Sequence, residues 1–318
     1  MWKTVLFLLV TIVLIPFFAF RFDEPLDIFQ REILSDLVIV YLVAAVACFL
    51  VSLLSGNHSQ VDKLWSLMPL IYVWIIAFRS DFEPRILLMA VLVSIWGLRL
   101  TYNFSRRGGY SIRFWSGEED YRWSVLQAKP EFSARWKWIL FNLFFISLYQ
   151  MGLILLFTLP ALKSLQGKPL SWIDILIAAI YLGFIITETI ADQQQWNFHK
   201  EKGRLQEEGR ELPPAYKKGF VSTGLWKYAR HPNYASEQAI WITFYFFSVS
   251  ATGMWLNWSV IGALLLLILF WGSSNFSETI SAGKYPEYMA YQQAVPRFVP
   301  VKLRSEEHTS ELQSLRTI

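Results

Sequence analysis

The feature that most constrains the fold is a succession of apolar stretches, each close to the length that crosses a lipid bilayer. About 20 mostly apolar residues in helical form span a hydrocarbon core of about 30 Å. The chain of 318 residues is 54% hydrophobic and contains 25 Phe, 15 Trp and 14 Tyr, against 17% charged residues. Soluble domains rarely combine these proportions. The sequence therefore predicts an all-α fold, a polytopic integral membrane helical bundle with about seven to eight transmembrane helices.

Eight candidate spans can be drawn on this basis. They cover residues 2–20, 33–54, 64–78, 86–102, 138–160, 173–190, 238–254 and 256–271. The first is interpreted as a retained span, because no small-residue cleavage pattern of a signal peptide precedes Arg21. Only a short turn separates the last two. We expect them either to form a tight helical hairpin or to place one member partly in the membrane interface.

The distribution of basic residues predicts the orientation of the bundle, since Lys and Arg accumulate in short cytoplasmic loops. With eight spans, 23 of the 29 Lys and Arg fall on one side of the membrane and six on the other. The basic side holds both termini and the two long polar loops. We therefore expect these parts to be cytoplasmic, in a bacterial inner membrane or the endoplasmic reticulum, and any polar cofactor to enter from that side.

Other classes of site are disfavoured. Cys48 is the single cysteine and lies in an apolar stretch, and the four histidines show no HExxH-like spacing, so no metal site is predicted. The net charge of +4 is modest and no basic block resembles a nucleic-acid reader. Residues 304–318 break from the apolar character of the rest and are interpreted as a non-native or disordered tail. Residues 1–303 are expected to form one transmembrane domain, and the protein to be a monomer that contacts membrane lipid.

Five ionisable residues lie within or at the edges of the predicted spans. They are Asp62, Arg99, Glu188, Asp192 and Glu237. A charged side chain at the centre of a membrane helix costs about 2.5–3.5 kcal/mol on insertion, so such residues usually line a cavity or form pairs. The alternative is that they are helix-end groups whose charged tips reach the interface.

Helical spacing groups these residues with further polar ones. A polar stripe is predicted by the i, i+4, i+7, i+11 spacing of Glu188, Asp192, Gln195 and His199. By the same rule, Trp96, Arg99 and Asn103 share a helix face. Because acidic and basic groups converge at the predicted cytoplasmic end, we expect a pocket with internal ion pairs and with donors for phosphate.

The segment 219–237, GFVSTGLWKYARHPNYASE, is a polar and aromatic insert between apolar stretches. Gly219 and Gly224 allow tight turns. Charge and hydrogen-bond donors come from Lys217, Lys218, Lys227, Tyr228, Arg230, His231, Asn233 and Tyr234. From its residues alone, the segment fits either a cradle for the phosphates of a nucleotide or a clamp for a lipid headgroup. It contains neither a GxGxxG nor a Walker sequence, which disfavours a soluble-type dinucleotide fold.

Three motifs carry a family resemblance: KYARHPNYASE, the upstream ETIADQQQ and the downstream KYPEYMAYQQAVPRFVP. Together they resemble the DUF1295 family of membrane proteins, which is related to the C-terminal domain of steroid 5-alpha-reductases. The resemblance extends over most of residues 62–300. It implies a multispan oxidoreductase, of the 3-oxo-5-alpha-steroid 4-dehydrogenase type, that takes NADPH from the cytosolic side. Such an enzyme reduces an activated carbon–carbon double bond of a lipophilic substrate, steroid-like or another enone lipid.

The resemblance also implies roles for individual residues. Cofactor-pocket positions are implied for Arg99, Glu188, Asp192, Asn233 and Glu237. The composition of the polar segments adds further cofactor-binding candidates, namely His199, Tyr216, Tyr228, Arg230, His231 and Tyr234.

The predicted catalytic end departs from the steroid reductase pattern. Where those enzymes hold the substrate ketone with a Glu and a Tyr, this chain has Asp62 and Trp96. An Asp can keep the first role. A Trp has no ionisable proton, so the role of the phenol is lost, is unnecessary for another substrate, or belongs to a neighbour such as Tyr102 or Tyr72. Asp62 and Tyr102 are our catalytic candidates.

Two other functions remain open at this point. The RHPxY motif also occurs in S-adenosylmethionine-dependent membrane methyltransferases that act on isoprenylcysteine and phospholipids. Those enzymes usually place a Gly soon after the Tyr, where this chain has Ala235 and Ser236. The third possibility is a non-catalytic lipid-binding relative, which would bind no nucleotide.

Overall fold

The structure is a computed structural model that describes residues 10–11, 16–17, 21 and 23–300. The predicted span 2–20 lies almost entirely outside the described residues, and the predicted tail 304–318 lies entirely outside them. Within the described part, every regular element is helical. This confirms the predicted all-α class.

Seven long helices follow one another along the described chain. They are Ile28–Ser55 (α1), Gln60–Arg79 (α2), Pro84–Ser105 (α3), Arg135–Lys163 (α4), Trp172–Glu207 (α5), Pro232–Thr252 (α6) and Val260–Lys284 (α7). Five of the predicted spans lie within α1 to α5, and the span 256–271 overlaps α7. Short helices cover Tyr121–Gln127, Pro130–Phe132, Pro214–Lys217, Gly224–Lys227 and Tyr288–Ala294.

Six of the helices in the described part are long and apolar enough to cross a membrane, which confirms a polytopic helical membrane protein. The exception is α6, which corresponds to the predicted span 238–254. Its first turns carry Glu237 and Gln238, and Ser and Thr recur along it, so it contains no stretch of 18 residues as apolar as those of the other six. The helix exists as predicted, but its composition does not mark it as a span.

The described residues form two compact units. The first comprises the residues up to 186 together with 236–277, and the second comprises 187–235 together with the described residues from 278 onwards. Helices α5, α6 and α7 contribute residues to both units. The expectation of one domain over 1–303 stays a prediction.

Close helix packing forms the core of the first unit. Gly97 of α3 faces α2, and a Cβ atom at this position would lie 2.2 Å from Leu70 Cδ1 and 2.8 Å from the Ser66 carbonyl oxygen. Gly262 of α7 approaches the backbone of α4 in the same way, with 2.3 Å from its ideal Cβ position to the Leu156 carbonyl oxygen. Small residues allow such backbone contacts between membrane helices.

A buried ion pair joins the start of α3 to the start of α5. Arg85 Nε lies 2.8 Å from Asp174 Oδ1, and Nη2 lies 3.1 Å from Asp174 Oδ2. The remaining guanidinium donors reach the carbonyl oxygens of Lys168 at 2.6 Å and Pro169 at 3.0 Å. Both side chains are fully buried. A bidentate pair in which every guanidinium nitrogen is hydrogen-bonded is the arrangement in which a desolvated charge is tolerated.

Candidate functional site

In the first unit, the carboxylate of Glu237 is surrounded by donors. Trp96 Nε1 donates to Oε2 at 2.8 Å, and Trp241 Nε1 donates to Oε1 at 2.9 Å. Arg99 Nη2 lies 3.5 Å from Oε2, and the pair is almost completely buried. The structure thus brings together Arg99 and Glu237, two predicted cofactor residues. The contribution of Trp241 was missed, although its position four residues after Glu237 on α6 was a readable signal.

Asp62, the first catalytic candidate, lies in the first turn of α2 and accepts a hydrogen bond from Trp123 Nε1 at 3.1 Å. Trp123 belongs to the short helix Tyr121–Gln127, whose N-cap is Asp120. The backbone N–H of Asp120 donates to Ser59 Oγ at 2.8 Å. The segment after α3 therefore folds back onto the start of α2 and covers Asp62.

Asp120 forms an ion pair with Arg122 within this covering segment. Its two carboxylate oxygens each accept a hydrogen bond from Arg122, both at 2.8 Å. Burial by itself would raise the pKa of Asp120, but the charge and hydrogen bonds of Arg122 outweigh burial, so this pKa lies below its usual range. Asp120 is therefore ionised at neutral pH, and it fixes the cation near Asp62.

The second catalytic candidate, Tyr102, is 67% exposed, and the Arg106 guanidinium lies 5.7 Å from its ring centre. The hydrogen-bond partners of Asp62 do not include it. Tyr72 is fully buried, and its hydroxyl has no hydrogen-bond partner among the residues that the structure describes. A phenol that does reach the start of α2 is Tyr110, which donates to the Lys63 carbonyl oxygen at 3.0 Å.

In the second unit, two predicted cofactor residues are in direct contact. Asn233 Nδ2 donates to Asp192 Oδ1 at 3.2 Å, which links the start of α6 to α5. Glu188 and Asp192 are both buried and lie one turn apart on α5. The predicted polar stripe is thus on one continuous helix, with its acidic end buried and His199 exposed.

Arg230 and His231 converge on a carboxylate whose role was not predicted. Glu278 Oε1 accepts from Arg230 Nε at 2.7 Å and lies 2.9 Å from His231 Nε2. The Arg230 Nη1 group donates to the carbonyl oxygens of Gln292, at 2.8 Å, and Val295. The Arg230 side chain therefore joins α7 to the segment that follows it, whereas the His231 side chain binds α7 itself through Glu278.

A pocket of about 590 Å³ lies within the second unit. Its wall is formed by Gln194, Asn197, Phe198, Lys200, Glu201, Arg204, Tyr216, Val221, Thr223 and Gly224. The predicted cofactor residue Tyr216 stacks on Phe198, with 5.1 Å between ring centres. Gly224 has a φ of +63°, and the next residue, Leu225, donates its backbone N–H to Gln194 Oε1 at 2.9 Å.

The two cations of this pocket differ in their partners. Arg204 is held by Glu201 and Glu208, with its closest contact, 2.6 Å, to Glu208 Oε1. Lys200 has no carboxylate partner among the residues that the structure describes. An anionic ligand would therefore find its charge complement at Lys200, with the hydroxyl of Thr223 in the same wall.

The remaining predicted cofactor residues lie outside this wall. Tyr228 is 60% exposed, and Tyr234 stacks on His231 with 5.2 Å between ring centres. His199 contacts Phe198 edge to face at 5.3 Å. The structure thus groups Tyr216 with the pocket, Tyr234 with His231, and His199 with the outer end of the polar stripe.

Comparison with known proteins shows the family to which this chain belongs. The model of a family described as a protein of unknown function, DUF1295, matches residues 48–295. The chain belongs to the DUF1295 family. An uncharacterised protein of Schizosaccharomyces pombe is 35% identical to this DUF1295 protein over 266 residues, which are 79% of this chain and 74% of the relative. No solved structure matches the chain.

Proposed function

We propose that this DUF1295 protein is an NADPH-dependent membrane reductase of an activated carbon–carbon double bond in a lipophilic enone. The observation that carries the proposal is the 3.2 Å hydrogen bond from Asn233 to Asp192. The resemblance to steroid reductases assigns both residues to the cofactor pocket, and 41 positions separate them in the sequence. The uneven distribution of Lys and Arg supports a cytoplasmic cofactor site.

The residues of the second-unit pocket fit a nucleotide. Its volume of about 590 Å³ is within the range of small-molecule sites, which is about 300–1,000 Å³. Lys200 would bind a phosphate group, and Tyr216 offers an aromatic face for a base. Gly224 lets the backbone turn close to the ligand.

When bound, NADPH supplies a hydride. Reduction of an enone adds this hydride to the β-carbon and a proton to the α-carbon, while negative charge passes through the carbonyl oxygen. Asp62, in its protonated form, has an O–H that can donate to that oxygen. The hydrogen bond from Trp123 fixes the orientation of the Asp62 carboxyl group. The covering segment also leaves this group only partly exposed to water, which strengthens such a hydrogen bond.

Measurements of ligand binding can distinguish a reductase from a methyltransferase and from a lipid-binding protein. Calorimetry of the protein in nanodiscs should give a binding signal with NADPH and a weaker one or none with S-adenosylmethionine. Lys200→Ala should weaken NADPH binding by about tenfold, since it removes the cation available to a phosphate group, and Asn233→Ala should weaken it by releasing Asp192. The matched control is Lys129→Ala, since Lys129 is an exposed lysine of the first unit and lies outside the pocket wall. Stronger binding of S-adenosylmethionine would favour a methyltransferase, and binding of neither would favour a lipid-binding protein.

Turnover tests the catalytic assignment. Loss of NADPH absorbance should depend on an added enone lipid, and Asp62→Ala should lower kcat by about 100-fold, as expected for loss of a donor to the oxyanion. Glu237→Ala should impair the reaction as well, because it leaves Arg99 without its carboxylate. Unchanged rates in both Asp62→Ala and Glu237→Ala would rule out the assignment.

A further inference from the structure

The turn at Ser111–Trp115, which we call the SIRFW tip, exposes three large apolar side chains next to one another. All five of its residues are exposed. Ile112 is fully exposed, Phe114 is 66% exposed and Trp115 is 45% exposed. The rings of Phe114 and Trp115 contact each other edge to face at 4.9 Å. Exposed apolar groups of this kind mark an interaction site when they lie together on the surface.

The geometry of the tip is fixed by the start of α2. Lys63 Nζ donates to the carbonyl oxygens of Phe114 at 2.9 Å and Ser116 at 2.7 Å. Gln60 Nε2 donates to the Trp115 carbonyl at 2.9 Å, and Asn57 Nδ2 donates to the Gly117 carbonyl at 2.9 Å. Four consecutive carbonyl groups are thus bound by side chains on or just before α2.

This anchoring fixes the direction in which the apolar side chains of the tip point. Lys63 as a whole is only 6% exposed, so its hydrogen bonds to the tip are partly shielded from water. The backbone N–H of Ser116 also donates to the Arg113 carbonyl at 2.8 Å, which closes the turn. Because the backbone is held towards α2, the apolar side chains project outwards as a preorganised group.

The location of the tip along the chain indicates its partner. The tip follows closely on Ser105, the last residue of the membrane helix α3, and is held by the first residues of the membrane helix α2. Ends of spanning helices lie at the surface of the bilayer. Arg113, in the centre of the tip, is exposed and has no carboxylate partner among the described residues. Trp beside Arg is the composition that suits the interface of a membrane with anionic lipids.

We propose that the SIRFW tip inserts into the interfacial layer of the surrounding bilayer. Ile112, Phe114 and Trp115 lie at the boundary between headgroups and acyl chains, and Arg113 binds lipid phosphate. The tip then ties the segment that covers Asp62 to the membrane surface.

A fluorescent label on the tip tests this proposal. Cys48 is buried, so an Ile112→Cys variant labelled under native conditions with an environment-sensitive dye reports on position 112, and the labelled wild type is the blank. The protein is reconstituted in nanodiscs that contain lipids with a nitroxide quencher just below the headgroup. Glu131→Cys is the matched control, since Glu131 is exposed and polar and belongs to the same connecting segment. We expect several-fold stronger quenching at position 112 than at 131.

Two outcomes would overturn the proposal. Equal, weak quenching at both positions would mean that the tip faces water. A label at 112 that is shielded from water but not quenched by the lipid, with energy transfer between differently labelled copies, would mean that a second copy covers the tip. A further variant tests the lipid chemistry: with anionic lipid present, Ile112→Cys/Arg113→Glu should be quenched less than Ile112→Cys/Arg113→Lys, and equal quenching would refute the role of Arg113.

Discussion

Trp96 donates its indole N–H to Glu237 at 2.8 Å, although 141 residues separate the two. The position of Trp96 is one at which the resemblance to steroid reductases leads us to expect a Tyr. In this structure the Trp96 indole donates a hydrogen bond to one oxygen of a buried carboxylate, and the Trp241 indole donates to the other oxygen. The Trp that stands where the steroid reductase pattern has a Tyr therefore makes a specific contact. A Tyr side chain has a different shape and would place its O–H differently from the indole N–H.

Replacing Trp96 with Phe should destabilise the protein by about 1–3 kcal/mol, because one oxygen of a buried carboxylate loses its donor. Thermal unfolding in detergent, followed by the loss of native tryptophan fluorescence, measures the change. Trp136→Phe is the control, since Trp136 is 54% exposed and its removal should change stability by less than about 0.5 kcal/mol. Equal effects of the two substitutions would contradict the role given to the Trp96 indole.

Gly224→Ala should weaken ligand binding to the second-unit pocket. Its φ of +63° is unfavourable for any residue with a Cβ, and an added Cβ would lie 2.5 Å from the end of the Gln194 side chain. Gln194 would have to move and release the backbone N–H of Leu225. Calorimetry with NADPH measures the loss.

Gly203→Ala on α5 is the control for this substitution, because nothing lies within 4 Å of the position where its Cβ would be. In a helix interior, replacing Gly by Ala should stabilise by about 0.5–1 kcal/mol. A Gly224→Ala protein that binds NADPH as tightly as the Gly203→Ala protein would count against the pocket.

The segment that covers Asp62 should lose stability in acid. Because the pKa of Asp120 is lower in the folded protein than its ordinary value, its ionised form stabilises the fold above about pH 4, and this contribution disappears as the pH falls through the folded pKa. Asp120→Asn removes the same charge at every pH. The difference in Tm between wild type and Asp120→Asn should therefore be largest near neutral pH and shrink towards about pH 3. A difference independent of pH would show that ionisation of Asp120 does not matter.

Lys63→Met should free the SIRFW tip from α2. The substitution keeps the length of the side chain but leaves the carbonyl groups of Phe114 and Ser116 without their donor. Trypsin should then cleave after Arg113 faster than in the wild type, as identified by mass spectrometry of the fragments. Lys227→Met provides the comparison for loss of an exposed lysine, and identical cleavage rates would show that Lys63 does not hold the tip.

Much of the membrane architecture could be predicted because an apolar stretch of about 20 residues has few alternatives to a spanning helix. The family resemblance placed Arg99 and Glu237 in one pocket, but the ion pair between them was not predicted. The surroundings of Asp62 could not be predicted in this way. Trp123 reaches Asp62 across 61 residues through an irregular segment, and no periodic pattern specifies such a contact.

The exposure of Tyr102 could have been predicted from the helical spacing of α3. Arg99 and Asn103 were predicted to share one face of α3, and neighbouring residues on a helix are about 100° apart. Tyr102 is thereby turned away from Asn103, and it is exposed in the structure. In contrast, the hydrogen bonds of Arg230 to the carbonyl groups of Gln292 and Val295 depend on the tertiary fold and leave no trace in the sequence.

The buried pair of Arg85 and Asp174 also has a consequence for synthesis at the ribosome. Arg85 emerges 89 residues before Asp174, and the carbonyl groups that complete its shell belong to Lys168 and Pro169. A nascent chain that stops short of residue 168 therefore holds a guanidinium group whose acceptors have not been translated. The start of α3 therefore gains its buried partners only once the start of α5 has been made.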